Sequence, residues 1–218
     1  MSNLLITEEQ RKILELFKQD QFLSANFYFT GGTALSNFYL NHRYSDDLDF
    51  FSDSRFDVLE INKIIRKWSD GLNASFDSRL VGETYIYNLY FSNNYSLKID
   101  FAFYPYKRVR ESNLIEGIRI DSKEDIATNK FAILGQRTDV KDFVDLYYLL
   151  KDFTIIDLMH WAEAKFKREF DLMLLAADLL KVEDFEYLPR MTNQLTLQEL
   201  KDFYLALAKR IGIETTKA

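Results

Sequence analysis

Tyr44-Ser45-Asp46-Asp47-Leu48-Asp49-Phe50-Phe51 alternates acidic and apolar residues from Asp47 onward. In a strand of this pattern Asp47 and Asp49 share one face, while Leu48 and Phe50 turn to the other. Two carboxylates about 7 Å apart along a strand repel each other, and one titrates high unless a cation sits between them. A divalent cation is the ordinary remedy.

Upstream, Asn26 to Thr30 reads as a short aromatic strand that runs into Gly31-Gly32, and Thr33 to Leu40 reads as a short helix. Glycines at a strand-to-helix turn let backbone N–H groups approach an anion closely, and the start of the following helix adds partial positive charge. Downstream, Leu97, Ile99, Phe101 and Phe103 form an apolar strand face with Lys98 and Asp100 on the opposite side. An acid there needs a partner if it is buried, which Lys98 could supply. If the two acidic strands are neighbours, Asp47, Asp49 and Asp100 form a carboxylate cluster suited to Mg²⁺, whose coordination is commonly completed by substrate phosphates. The Gly31-Gly32-Thr33 turn and the acids together describe a site for a nucleoside triphosphate, with metal ions stabilising in-line displacement at phosphorus. Asp47-x-Asp49 is not the start of a calcium loop, because the Asp-x-Asx-x-Asx-Gly pattern is missing.

The remaining elements set these pieces in a fold. Thr7-Glu8-Glu9-Gln10 has the form of a capping box for a first helix reaching about Lys18, and Asp57 caps a helix that ends near Gly71. Alternation returns in Ser75 to Leu80, Thr84 to Phe91 and Leu97 to Tyr104, with a hairpin turn at Ser92-Asn93-Asn94. Beyond Ile120 the pattern is helical: from Ser122 to at least Leu134, Val140 to Lys151, Ile155 to Phe170, Leu172 to Leu180, and a last helix capped by Thr196 with Glu199. The expected class is α+β, a mixed sheet with helices followed by a helical C-terminal half, divided as residues 1–120 and 121–218. With no Pro- or Gly-rich linker between them, the halves are expected to pack as one body.

With 218 residues, 47 % of them hydrophobic and 28 % charged, the chain can bury a large core without staples, and the disordered and collagen-like classes are excluded. The absence of Cys removes disulfides, thiolate zinc sites and a cysteine nucleophile, and two isolated His argue against a histidine-built metal site. A net charge of −6 argues against broad adhesion to nucleic acid. Met1 to Gln10 does not read as a signal sequence and no apolar run reaches a membrane span, so a cytoplasmic protein with no membrane partner is expected.

The order of these parts resembles the DNA polymerase β-like nucleotidyltransferase superfamily. Gly31-Gly32-Thr33-Ala34-Leu35 followed by His42-Arg43-Tyr44-Ser45-Asp46-Asp47-Leu48-Asp49-Phe50-Phe51 is similar, more narrowly, to the AbiEii/AbiGii toxin family of toxin–antitoxin and abortive-infection systems. The likeness extends to Lys130, Arg137, Asp142, Asp145 and Leu146, and covers about residues 27 to 150. It implies a polymerase β-like sheet, a Mg²⁺- or Mn²⁺-dependent nucleotidyltransferase using an NTP, the tRNA 3′ end as acceptor, and a cognate antitoxin. It also implies Asp47 and Asp49 as metal ligands, Asp100 as third ligand or as base, and Gly31, Gly32 and Thr33 as triphosphate contacts. Lys130 and Arg137 would neutralise phosphates, and Asp142 and Asp145 would complete the pocket.

Beside that stands a plainer reading in which Lys130, Arg137, Asp142 and Asp145 form an exposed ion-pair seam between two helices. If the helix runs through Gly135, Lys130 and Arg137 share one face; if Gly135 caps it, Arg137 lies on the connecting turn. Arg43 and Ser45 are candidates to orient Asp47 or to meet phosphate, while His42 and His160 read as surface or structural residues. The clusters Lys107, Arg108, Arg110 and Lys165, Lys167, Arg168 read chiefly as solvated charge, with contact to an RNA backbone as the other possibility. Two further functions stay open: transfer of a nucleotide to a small molecule or a protein, and a catalytically inactive nucleotide-binding or antitoxin-interacting module.

Overall fold

The computed structural model describes residues 5–215, whose contacts divide the chain into two compact units. The first comprises the chain up to Tyr39 together with Ser45–Lys107 and Glu111–Ser122; the second comprises Leu40–Tyr44, Arg108–Arg110 and the chain from Lys123 onward.

In the first unit, α1 (Glu8–Gln19) begins with the expected capping box, in which Thr7 Oγ1 accepts from the Gln10 N–H at 3.1 Å and Gln10 Oε1 accepts from the Thr7 N–H at 2.9 Å. A helix absent from the sequence reading follows, α2 (Gln21–Asn26), capped by Asp20, whose carboxylate accepts from the Leu23 N–H at 3.0 Å. The strand expected from Asn26 therefore shortens to β1 (Tyr28–Thr30). The segment read as one helix from Thr33 to Leu40 is α3 (Gly31–Leu35) running into a π-helical turn, Ser36–Leu40. Next come β2 (Leu48–Ser52) and α4 (Val58–Gly71), the latter capped by Asp57, which accepts from the Leu59 N–H at 2.8 Å. The remaining strands are β3 (Ser75–Val81), β4 (Thr84–Tyr90), β5 (Ser96–Phe103), β6 (Asn113–Ile115) and β7 (Ile118–Ile120).

Among the described residues the seven strands form one sheet in the order β3-β4-β5-β2-β1-β7-β6. The pairs β2·β5 and β1·β7 are parallel and the others antiparallel, so the sheet is mixed. The hairpin of β6 and β7 had no readable alternation in the sequence, since each strand is three residues long. Its turn has positive φ at both Glu116 (51°) and Gly117 (84°), which suits a two-residue hairpin loop. The register places Leu48 opposite Ile99 and Phe50 opposite Phe101, so β2 and β5 give one face to the core. Phe50 lies at its centre, stacked on Phe17 at 4.2 Å between ring centroids and 5.3 Å from both Phe29 and Phe101. The high phenylalanine content is thus concentrated where it excludes water most.

The second unit contains α5 (Lys123–Ile133), α6 (Val140–Leu149), α7 (Ile155–Phe166), α8 (Leu172–Leu180) and α9 (Leu197–Thr215). Lys167, with φ 53°, closes α7 in the left-handed conformation, short of the expected Phe170. Leu40–Tyr44 is stitched into this unit by backbone bonds, Tyr44 N–H to the Arg190 carbonyl at 2.8 Å and Thr192 N–H to the His42 carbonyl at 3.0 Å. Buried Tyr204 on α9 donates its hydroxyl to the Phe143 carbonyl of α6 at 2.7 Å. No helix among the described residues is long and apolar enough to cross a membrane.

Candidate active site

The face of the sheet opposite the phenylalanine core carries the acids. Asp49 on β2 stands directly opposite Asp100 on parallel β5 and opposite Thr30 on β1. Asp47, expected within the strand, lies just before it, and its carbonyl accepts the Thr33 hydroxyl from α3. Gly31 has φ +76°, and a Cβ added there would lie 2.7 Å from Asp49 Cγ and 3.0 Å from Asp49 Cβ. Only glycine meets both demands, so the β1-to-α3 turn is pressed against the Asp49 carboxylate.

Gly31→Ala is accordingly expected to displace Asp49 and strain the turn, at a cost of about 1–3 kcal/mol in stability. Thermal unfolding checks the cost, and an unshifted midpoint would contradict the close packing.

Lys98 completes the acid face. Its Nζ lies 2.7 Å from Asp100 Oδ2 and 3.7 Å from Asp47 Oδ2. The pairing anticipated as the alternative for Asp100 is therefore present. Burial, the largest influence, raises the Asp100 carboxyl above its ordinary range, and the Lys98 charge pulls it only part of the way back. Burial lowers the Lys98 ammonium, but Asp100, Asp47 and Asp49 outweigh it and hold the group above its usual value. Asp100 Oδ1 is buried with no hydrogen-bond partner. Among the described residues, no three His, Asp or Glu side chains already converge as ligands of one ion. The donors nevertheless fit a hard divalent cation: carboxylates in register on adjacent strands, one of them with a buried oxygen unsatisfied.

Arg43, Lys130, Arg137, Asp142 and Asp145 lie in the second unit and are paired with one another. Asp142 and Asp145, three apart on α6, face Lys130 of α5, whose Nζ is 2.7 Å from each. Arg43 grips Asp145 with two bonds, Nε to Oδ1 at 2.6 Å and Nη2 to Oδ2 at 2.8 Å, and His42 Nε2 lies 2.7 Å from Asp145 Oδ1. Asp145, His42 and Arg43 are at most 1 % exposed. The donors of Arg43 that the sequence assigned to Asp47 or phosphate are thus directed at Asp145 and, through Nη1, at the Tyr44 carbonyl. Ser45 belongs to the first unit, where its carbonyl accepts from Gln10 at 2.9 Å. Because α5 stops at Ile133, Arg137 sits on the connecting turn and bonds Asp142 at 2.7 and 3.1 Å. Instead of an exposed seam, this is a buried ion cluster with Arg137 at its solvent edge, 54 % exposed.

Burial raises the Asp145 and Asp142 carboxyls, but the opposing charges outweigh it. Lys130 and Arg43, with hydrogen bonds from His42 and Arg43, hold Asp145 well below the carboxylate range, and Lys130 and Arg137 lower Asp142. Burial keeps His42 below its ordinary value. One sequence signal could have found this hub: Asp145 interrupts the apolar run Phe143, Val144, Leu146, where an unpaired acid is too costly to bury.

A second buried pair corrects the reading of Lys165 as solvated charge. Its Nζ lies 2.6 Å from Asp125 Oδ1, with both side chains at most 3 % exposed. Asp125 also accepts the N–H groups of Val109 and Arg110 at 2.9–3.1 Å, which anchors the segment carrying Arg108 and Arg110. His160 is exposed.

Comparison with known proteins identifies the family and the fold. The family model described as "Nucleotidyl transferase AbiEii toxin, Type IV TA system" matches residues 14–215. An uncharacterized protein of Aquifex aeolicus is 32 % identical over 185 residues, covering 82 % of this chain and 84 % of its own. Among solved structures, a putative nucleotidyltransferase from Helicobacter pylori is 20 % identical, with TM-score 0.57 and 97 % and 98 % of the two chains covered. MenT4, a nucleotidyltransferase toxin from Mycobacterium tuberculosis, is 14 % identical, with TM-score 0.57 over 93 % and 85 %. At these identities the two structures establish the nucleotidyltransferase fold, and the family match extends the relation to sequence across nearly the whole chain. The chain belongs to the AbiEii nucleotidyltransferase toxin family and is a transferase enzyme.

Proposed function

We propose that the acid face transfers a nucleoside monophosphate from an NTP to an acceptor hydroxyl, the 3′ end of tRNA, with release of pyrophosphate. The observation that carries this reading is the register of Asp49 with Asp100, with Gly31 closed against Asp49. Asp47, Asp49 and Asp100 would hold Mg²⁺ or Mn²⁺, which when bound neutralises the triphosphate and stabilises the charge of the departing pyrophosphate. Gly31, Gly32 and Thr33 present backbone to the phosphates. Asp100, with an unsatisfied oxygen and a raised carboxyl pKa, serves either as that third ligand or, in its stead, as the group that accepts the proton of the attacking hydroxyl. Phosphate contact by Lys130 and Arg137, with Asp142 and Asp145 beside them, is a separate part of the proposal, made for the second unit by itself. A cytoplasmic location and an antitoxin partner are also part of it, the latter supported by the toxin–antitoxin description of the family.

The test is incubation with Mg²⁺, each α-labelled NTP in turn and total tRNA, beside the Asp47→Asn/Asp49→Asn variant. Label on tRNA with the unsubstituted protein alone is the expected result and names the base. Label on the protein itself would move the acceptor to a protein hydroxyl. No label, with NTP still bound, would favour a small-molecule acceptor or a binding module.

A further inference from the structure

Lys98 pairs with Asp100, as the sequence allowed, and also approaches Asp47, which the sequence did not show. Side chains alternate along β5, so Lys98 and Asp100 emerge on the same face, and the ammonium reaches back across Asp100 toward Asp47. We propose that Lys98 is a built-in counter-cation of the acid face, neutralising Asp100 in place of a divalent ion and weakening metal binding until nucleotide arrives. This rests on the nucleotidyl-transfer reading of the same face.

The argument is electrostatic. Lys98 Nζ is 2.7 Å from Asp100 Oδ2, and a magnesium-sized ion binds a carboxylate oxygen at about 2.1 Å. An ammonium and a divalent ion on the same carboxylate repel each other, even where the metal takes the unsatisfied Oδ1, so the ion pair weakens the hold of Asp100 on a metal. The ammonium can leave without unfolding anything, because the Lys98 side chain is 32 % exposed on a flexible stem while Asp100 is held in the sheet at 13 % exposure. Bare metal must therefore bind against the charge of Lys98 or displace its ammonium. A metal that arrives with a triphosphate meets a different balance, since the released ammonium then has a new anion nearby. Nucleotide and metal binding are coupled in consequence, and by linkage each strengthens the other by the same factor. Lys98 so acts as a positioning residue that guards against futile metal occupancy.

Mn²⁺ uptake by the full-length protein, read from the loss of the free-ion electron paramagnetic resonance signal, tests the proposal. It is measured without nucleotide and then with ATP, CTP, GTP and UTP in turn. Lys98→Met and Lys98→Gln are the neutral variants, either of which suffices if the other does not fold, and Lys98→Arg keeps the charge. Without nucleotide, the neutral variants are expected to bind Mn²⁺ at least tenfold more tightly than the unsubstituted protein, with Lys98→Arg close to the unsubstituted value. Adding Asp49→Asn to either neutral variant is expected to abolish the gain. Nucleotide-dependent uptake by the unsubstituted protein, with no tightening in the neutral variants, would overturn the role of Lys98 and leave the transfer reading standing. No uptake by any protein with any nucleotide would overturn both.

Discussion

Asp145→Asn is expected to cost about 3–5 kcal/mol, the loss that follows when one partner of a buried ion pair is removed and the others stay behind uncompensated. Whole-domain stability is about 5–15 kcal/mol, so this one substitution would leave a marginal protein. The carboxylate is the shared acceptor of Arg43, Lys130 and His42, and asparagine offers them one neutral oxygen. Arg137→Ala, at the exposed edge of the same cluster, is expected to cost only about 1 kcal/mol or less. Chemical denaturation of the two variants checks the contrast, and equal midpoints would contradict the buried-cluster account.

The same cluster fixes a pH dependence. Asp142 and Asp145 have depressed folded-state values, so their stabilisation is present above the unfolded carboxylate value of about 3.9 and is lost as pH falls below it. His42 is also depressed, so its neutral buried form loses stability as pH falls below about 6.5. Both contributions run the same way. The unfolding midpoint is expected to decline gently below about pH 6.5 and steeply below about pH 4, with the steep part reduced in Asp145→Asn.

The second large effect falls on activity. Asp49→Asn should lower nucleotidyl transfer roughly a thousandfold, because charge stabilisation at the reacting phosphorus supplies several kcal/mol and a neutral amide withdraws it. Stability should barely change. Asp49 is only half-buried, and its isostere removes a repulsion with Asp100 and keeps the shape against which Gly31 packs.

What could be read before the structure was what period and spacing encode. Leu48, Phe50, Ile99 and Phe101 against Asp49 and Asp100 is a period of two, which survives any tertiary rearrangement that keeps the strands paired. The turn at Gly31 was likewise legible, although its contact with Asp49 was not, because contact across strands is not local information. Short elements escaped. β6 and β7 are too brief to show alternation, and α2 announced itself only through Asp20. Charge was the least legible property. In the sequence Lys165 reads as solvated charge and Arg43 as a partner for Asp47 or phosphate, yet both are buried against Asp125 and Asp145 in the fold. Asp47 shows the same limit from the other side, since the strand begins one residue later than expected and Lys98, anticipated beside Asp100, also approaches Asp47.

The claim at the centre of the account is that the in-register carboxylates of β2 and β5 perform the transfer. The most direct measurement is the rate of pyrophosphate release from the preferred NTP, in the presence of the labelled acceptor, by the unsubstituted protein and by Asp49→Asn at matched folded fraction. The account predicts a roughly thousandfold fall with an unchanged unfolding midpoint. Asp49→Asn releasing pyrophosphate and labelling the acceptor at the unsubstituted rate would contradict it.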